Sequence, residues 1–278
     1  MSGSGNDIEF WKMSGSGNDF IIIDNRDGKV ADSDMGRLVE RACRRRESVG
    51  ADGLIFVTNS DQYDFAWRYF NADGGEVEMC GNGSRCVARF AFSKGIAGDS
   101  MTFDTLAGPI SAEVRDRTVK VLMPQPSDIQ MDLDMVMESS WGSVDFINTG
   151  VPHVVVQVED LEGHPVVDEG RMLRYHDLFS PAGTNANFIR VLGSDLLEIR
   201  TYERGVEDET LACGTGAMAS ALVSSVRGMV TSPVKVKTRG GEELKIHFEK
   251  EDRVFKRVWL EGSTTLVFQA QLHEEALS

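Results

Sequence analysis

The chain carries one pattern twice. The segment from Trp67 to Gly83 and the segment from Ile199 to Gly216 each run as an aromatic-bearing strand, a turn rich in glycine and acid, and a Cys-Gly-x-Gly sequence that opens an apolar helix. The two cysteines, Cys80 and Cys213, stand 133 residues apart, close to half of the 278-residue chain. Two copies are too few for a solenoid, whose units must stack at least about three deep to bury a core. The length suits two domains of roughly 130 residues. Two related domains, each presenting one such element, form the economical architecture.

The repeated element has a chemistry of its own. A thiol at the start of a helix meets unpaired backbone N–H groups and the positive end of the macrodipole. Both favour the thiolate, so the pattern predicts two thiols of lowered pKa. The glycines that follow, Gly81 and Gly214, let a substrate approach the backbone, where the same N–H groups hold a carboxylate. If the substrate is an amino acid, that carboxylate gains charge as the α-proton leaves. The helix ends then stabilise the transition state more than the ground state. Two such elements on opposite sides of one α-carbon make a two-base racemase or epimerase. One cysteine removes a proton as thiolate, and the other delivers one as thiol. This chemistry needs no cofactor, neither pyridoxal phosphate nor metal.

Composition narrows the partners. With 29 Lys+Arg against 44 Asp+Glu the formal net charge is −15, which repels nucleic-acid phosphates and anionic membrane alike. No apolar run approaches the ~18 residues of a membrane span, and no signal-peptide core stands at the start. The expectation is a soluble, cytoplasmic protein with a small-molecule partner, and a homodimer stays open. The four cysteines include no CxxC pair, and the five histidines (153, 164, 176, 247 and 273) have no metal-ligand spacing. No metal site and no disulfide framework is expected. Cys43 and Cys86 read as packing residues, Cys86 because six residues beyond Cys80 it faces another side of its helix. Gly81-Asn82-Gly83 is not a dinucleotide fingerprint, since Cys86 stands where the third glycine belongs.

Along the chain, residues 1–7 recur verbatim at 13–19. The first copy reads as a leader outside the fold; the second runs into the apolar strand Phe20–Asp24. Short β-branched or alternating runs predict strands at 53–58, 65–70, 110–115, 119–123, 153–158, 187–192, 196–202, 234–238, 243–248, 256–261 and 264–268. Helices are expected over 32–47, opened by Asp32-Ser33-Asp34, over 169–178, and after each of Cys80 and Cys213. Arg44-Arg45-Arg46 reads as a solvated helix end. Pro124 and Pro126 mark a boundary, and the acidic stretch 128–139 reads as a connector.

At this point the residues resemble a known family, the diaminopimelate epimerases, over roughly residues 9–268. The resemblance rests on Lys12-Met13-Ser14-Gly15-Ser16-Gly17-Asn18-Asp19-Phe20, Phe70-Asn71-Ala72-Asp73-Gly74, Cys80-Gly81-Asn82-Gly83-Ser84-Arg85-Cys86, Gly150-Val151-Pro152-His153, Tyr202-Glu203-Arg204-Gly205 and Ala212-Cys213-Gly214-Thr215-Gly216. It implies an α+β fold of two pseudo-symmetric domains, each an antiparallel, barrel-like sheet wrapped around a central helix, with the active site in the interdomain cleft. The first domain would take 8–126 with about 266–278, and the second 127–265. Cys80 and Cys213 would be the acid/base pair, with His153 and Glu203 beside them tuning or relaying protons. Asn18, Asn71, Asn185, Glu203 and Arg204 would bind substrate, and the backbone at Gly81-Asn82 and Gly214-Thr215 would hold the reacting carboxylate. The implied reaction interconverts LL- and meso-2,6-diaminoheptanedioate, a step toward lysine and peptidoglycan precursors.

Three positions depart from the family pattern. Ser14 stands where His is common, Gly53 where Gln is common, and Val151 where many members carry Asn. The Val151 change removes an amide from the distal substrate contact, which keeps a second substrate in view, such as histidine or a hydroxyproline. A ligand-binding or redox role for the thiols is the non-enzymatic alternative; oxidation to a disulfide reads as inactivation rather than purpose.

Overall fold

The structure is a computed structural model of the chain and describes residues 8–135, 141 and 143–277. The leader at 1–7 and residues 136–139 of the expected connector lie outside the described residues. The fold is α+β. One compact unit runs to Val121 and resumes at Gly262; the other spans Leu122–Glu261.

In chain order the first unit opens with β1 (Ile8–Gly15), β2 (Asn18–Asp24), α1 (Asp32–Ala42), β3 (Gly53–Thr58), β4 (Phe65–Asn71) and β5 (Glu76–Val77). It continues with α2 (Gly81–Ser93), β6 (Ser100–Asp104), β7 (Ile110–Arg115) and β8 (Thr118–Leu122). The second unit follows with β9 (Ser127–Gln130), β10 (Val144–Asn148), β11 (Pro152–Gln157), α3 (Val166–Arg174), β12 (Asn185–Gly193) and β13 (Leu196–Glu203). Then come β14 (Asp208–Thr210), α4 (Gly214–Val226), β15 (Val234–Lys237), β16 (Glu243–Glu251) and β17 (Val254–Ser263). The last strand, β18 (Thr265–Leu272), pairs with β1.

One pairing pattern is used twice. In the first unit the strands run β18-β1-β2-β3-β4-β6-β7-β8, antiparallel except where β2 meets β3 and β4 meets β6. In the second they run β9-β10-β11-β12-β13-β15-β16-β17, with parallel joins at β11–β12 and β13–β15. The expected antiparallel sheet thus holds two parallel joins per unit. Each needs a crossover, and each crossover contains a helix: α1, α2, α3 and α4 in turn.

The helices occupy opposite faces of their sheets. Met35, Val39 and Ala42 of α1 recur at helical spacing and pack on Ile21, Ile23, Leu54, Phe56 and Phe70. In the second unit Val166 and Leu173 of α3 pack on Val154, Val156, Ala186, Phe188 and Tyr202. α2 takes the other face in the first unit, where Trp11 meets Phe90 edge-on at 5.0 Å between ring centres. α4 touches β10, β11, β12, β13, β15 and β16, and every residue from Gly216 to Ser225 is buried. With helices on both faces, β2 reads Phe20-Ile21-Ile22-Ile23 with no polar alternation, as a strand covered on both sides should.

Several elements differ from the sequence reading. α1 stops at Ala42, not 47, because the returning chain takes its last carbonyls: Gly50 N–H donates to Ala42 O at 3.0 Å and Ala51 N–H to Cys43 O at 3.3 Å. Arg45 therefore leaves the helix axis and pairs with Asp19 at 2.6 Å and Asp52 at 2.8 Å. The residue capping α1 is Ala31, which supplies no side-chain bond. α3 starts three residues earlier than expected, behind Pro165, whose fixed φ suits a helix start. Strands β1, β5, β6, β9, β10 and β14 were not expected. β10 holds a buried Asp145 among apolar neighbours, and its charge is met by a two-pronged Arg227 at 2.7 and 2.6 Å. β9 occupies the start of the expected connector as a short, mostly exposed strand beside β10.

Candidate active site

Both repeated cysteines are helix caps. Cys80 lies just before α2 in extended backbone, and its sulfur accepts from Gly83 N–H at 3.4 Å. Cys213 does the same for α4, accepting from Gly216 N–H at 3.4 Å. Gly81 and Asn82, and likewise Gly214 and Thr215, are the first two helical positions, where N–H groups have no intrahelical acceptor. Cys86 is fully buried and Cys43 nearly so. All four cysteines are free thiols.

In the first unit the amides form a chain. Asn82 Nδ2 donates to Asn18 Oδ1 at 2.7 Å, and Asn18 Nδ2 donates to Asp52 Oδ2 at 3.0 Å. Fully buried Arg85 donates to Asn82 Oδ1 at 2.9 Å. Arg85 thus fixes one end of the Asn82 side chain while the other holds Asn18. Lys12 pairs with Asp19 at 2.7 Å, and with Arg45 it holds that carboxyl down at about 2. Asn71 ends β4, and its Oδ1 accepts from the Tyr69 hydroxyl at 3.0 Å. Gly53 explains itself here. A Cβ at this position would lie 2.7 Å from the Tyr69 ring and 2.5 Å from Phe70 O, so the tyrosine fills the space a larger residue would need.

In the second unit the strand register gathers the polar residues. His153 of β11 pairs with Asn185 of β12, Asn187 with Thr201 of β13, and Thr201 with Thr210 of β14. With period two along each strand, His153, Asn185, Asn187, Thr201, Glu203 and Thr210 share one face. That face is the one on α4, since a Cβ on Gly216 would fall 2.3 Å from Asn187 Oδ1. Asn185 Oδ1 accepts from Arg204 N–H at 2.9 Å, and its Nδ2 donates to Pro152 O at 3.0 Å. Arg204 Nη1 donates to Ala182 O at 3.0 Å. The Thr210 hydroxyl donates to Glu203, and the Thr215 hydroxyl lies 3.5 Å from Cys213 Sγ.

Burial reverses the expected direction of the thiol pKa values. Burial pushes Cys80 up, against the N–H groups of Gly83 and Asn82, the Arg85 charge and the neighbouring Tyr69 hydroxyl. It pushes Cys213 up to about 12, aided by the Glu203 charge and opposed by Thr215 and Gly216. The helix-start N–H groups act in the direction the sequence implied, but loss of water outweighs them. Burial also raises Glu203, with Thr210 and Cys213 opposing, and lowers His153 to about 3, with the Arg204 charge adding to the effect.

The sequence reading placed Asn18, Asn71, Cys80, Gly81 and Asn82 in what is the first unit, and His153, Asn185, Glu203, Arg204, Cys213, Gly214 and Thr215 in the second. It missed Asp52, Tyr69 and Asn187, which bond to those residues. Asn185 and Asn187, two apart in a strand, carried a signal: the second shares the face of the first. Asp52 and Tyr69 carried none. Among the described residues no cluster of three or more His, Cys, Asp or Glu is placed to hold a metal ion. No helix among them is long and apolar enough to cross a membrane.

Comparison with known proteins agrees with this frame. A family profile described as diaminopimelate epimerase matches residues 10–129 and 146–266. The diaminopimelate epimerase of Aquifex aeolicus (strain VF5) is 48% identical, covering 97% of this chain and 99% of that protein. That of Hydrogenobaculum sp. (strain Y04AAS1) is 44% identical, covering 95% and 98%. Among solved structures, a phenazine biosynthesis protein of the PhzF family from Bacillus anthracis shares the fold, with a TM-score of 0.72 at 16% identity, covering 97% of this chain and all of that one. This chain belongs to the diaminopimelate epimerase family.

Proposed function

We propose that the protein interconverts LL- and meso-2,6-diaminoheptanedioate by exchanging the proton on one α-carbon, with Cys80 and Cys213 as the two bases. The observation that carries this reading is the repetition of one device: a cysteine capping a buried helix, its sulfur 3.4 Å from the N–H of the second glycine after it. One cysteine, as thiolate, takes the α-proton, and the C–H electron pair passes into the carboxylate. The other, as thiol, delivers a proton to the opposite face, and the new C–H bond takes that electron pair back. Each turnover leaves the charge on the other sulfur, so the reverse reaction uses the same groups with roles exchanged.

The charge that builds on the carboxylate is met by the helix-start N–H groups at Gly81, Asn82, Gly214 and Thr215. Asn18, Asn71 and Asn185 present amides to the amino-acid groups. Arg204, with one Nη engaged by Ala182 O, keeps donors for the distal carboxylate. Glu203, which acts on Cys213, and His153 adjust the protons of the thiol pair. Family membership, and relatives at 48% and 44% identity that bear this activity's name, favour diaminopimelate over histidine or hydroxyproline. The product class is a precursor for lysine and peptidoglycan.

The test is incubation of reduced protein with LL-diaminopimelate in deuterated water, without added pyridoxal phosphate or metal. The expected result is one solvent deuterium at an α-carbon of the meso product. Absence of exchange overturns the reading.

A further inference from the structure

Of the polar residues on the α4 face of the second sheet, Asn187 has no part in the mechanism above, yet it touches three of the elements that build the site. It is fully buried, as is His153, and Thr201 is 3% exposed. Its amide orientation is decided by chemistry. Nδ2 lies 2.8 Å from Val154 O, which only accepts, so the nitrogen end must point there. Oδ1 takes the Thr201 hydroxyl at 3.0 Å. The second Nδ2 hydrogen then falls to His153 Nδ1 at 3.1 Å.

We propose that Asn187 is a positioning residue that holds His153 as the neutral tautomer protonated on Nε2. A ring nitrogen that accepts from an amide N–H carries no proton of its own, so the single proton of a neutral imidazole must sit on the other nitrogen. That other nitrogen, Nε2, is buried and finds no hydrogen-bond partner among the described residues. It is a donor waiting for an acceptor. Burial lowers His153 to about 3, which keeps the ring neutral over the working range.

The consequence sharpens the role of His153, and this clause rests on the proposed epimerase reading. With the proton on buried Nε2, the ring cannot accept a proton from a thiol or a substrate there. It offers one hydrogen bond to negative charge, a thiolate or a developing carboxylate, and the charge it stabilises changes during the reaction. His153 is thus a fixed donor and not a proton relay.

The test reads the tautomer directly. In ¹⁵N-labelled, reduced, substrate-free protein, His153 is assigned through its backbone, and long-range ¹H–¹⁵N correlations report which ring nitrogen bears the proton. The expected pattern is unprotonated Nδ1 and protonated Nε2, unchanged between about pH 6 and 8, a range in which a free imidazole titrates. Asn187→Asp replaces the donor by an acceptor and moves the proton to Nδ1 or charges the ring. It lowers kcat by about 10²-fold, as losing one preorganised donor does, with little change in KM. A wild-type ring protonated on Nδ1, or titrating near neutrality, overturns the proposal. So does an Asp variant with the wild-type tautomer. If Asn187→Asp does not fold, the wild-type spectrum alone decides. Because this readout needs no substrate, failure of the exchange assay leaves the tautomer result standing, and the reverse holds equally.

Discussion

Asn71 and Glu203 close equivalent strands, β4 and β13, in two copies of one pairing pattern, and each is followed by the turn that leads to a capping cysteine. The copies differ in what those two residues do. Asn71 accepts a hydrogen bond from Tyr69 at 3.0 Å, whereas Glu203 brings a carboxyl to Cys213. A symmetric scaffold therefore gives its two thiols unlike neighbours: a phenol and a guanidinium for Cys80, a buried acid for Cys213.

The Glu203 contact sets a pH signature. Its negative charge raises the Cys213 thiol beyond what burial alone does, so Glu203→Gln lowers that pKa. Alkylation of Cys213, followed against pH by peptide mass spectrometry, shows a midpoint at lower pH in the variant than in wild type. An unmoved midpoint would separate Glu203 from the thiol. Because burial raises both thiols, the thiolate fraction grows as pH rises, and wild-type kcat/KM for the free enzyme climbs into the alkaline range.

Tyr69→Phe keeps the ring that fills the space at Gly53 and removes only the hydroxyl. Asn71 then loses the bond that orients it. The expected cost is about 1 kcal/mol in substrate binding, a roughly fivefold rise in KM, with thermal stability little changed. Steady-state kinetics beside a melting curve distinguish this from a packing defect, which would lower the melting temperature instead.

Cys80→Ala and Cys213→Ala each abolish epimerisation, while Cys86→Ala keeps most of it. Cys86 is fully buried on the same helix, so its loss appears in stability, by about 1–2 kcal/mol in urea unfolding. Equal loss of activity in all three variants would show that position at the helix start is not what selects the catalytic thiols.

How much of this was legible in the sequence depends on how far apart the deciding residues lie. The internal repeat, the Cys-Gly-x-Gly caps, most strands and the four helices follow from spacings of a few residues. The chain states these locally, through helical and strand periodicity and through glycines that admit a close backbone. Ends and exceptions were decided elsewhere. α1 stops at Ala42 because Gly50 and Ala51 return to its carbonyls, and β10 tolerates Asp145 because Arg227 arrives from the end of α4. Neither partner is visible from the local pattern.

The site divides in the same way. The sequence by itself pointed to the atoms proposed for the chemistry: two thiols at helix starts, the N–H groups after them, a histidine and an acid. Only the tertiary structure decided their protonation. A helix N-terminus lowers a thiol pKa over a few ångströms along its own chain, but burial is imposed by strands distant in sequence, and here it wins at both cysteines. The same is true of His153, whose tautomer is set by Asn187 on the neighbouring strand, 34 residues away. Desolvation and strand register are collective properties of the folded chain, and no short stretch of sequence carries them.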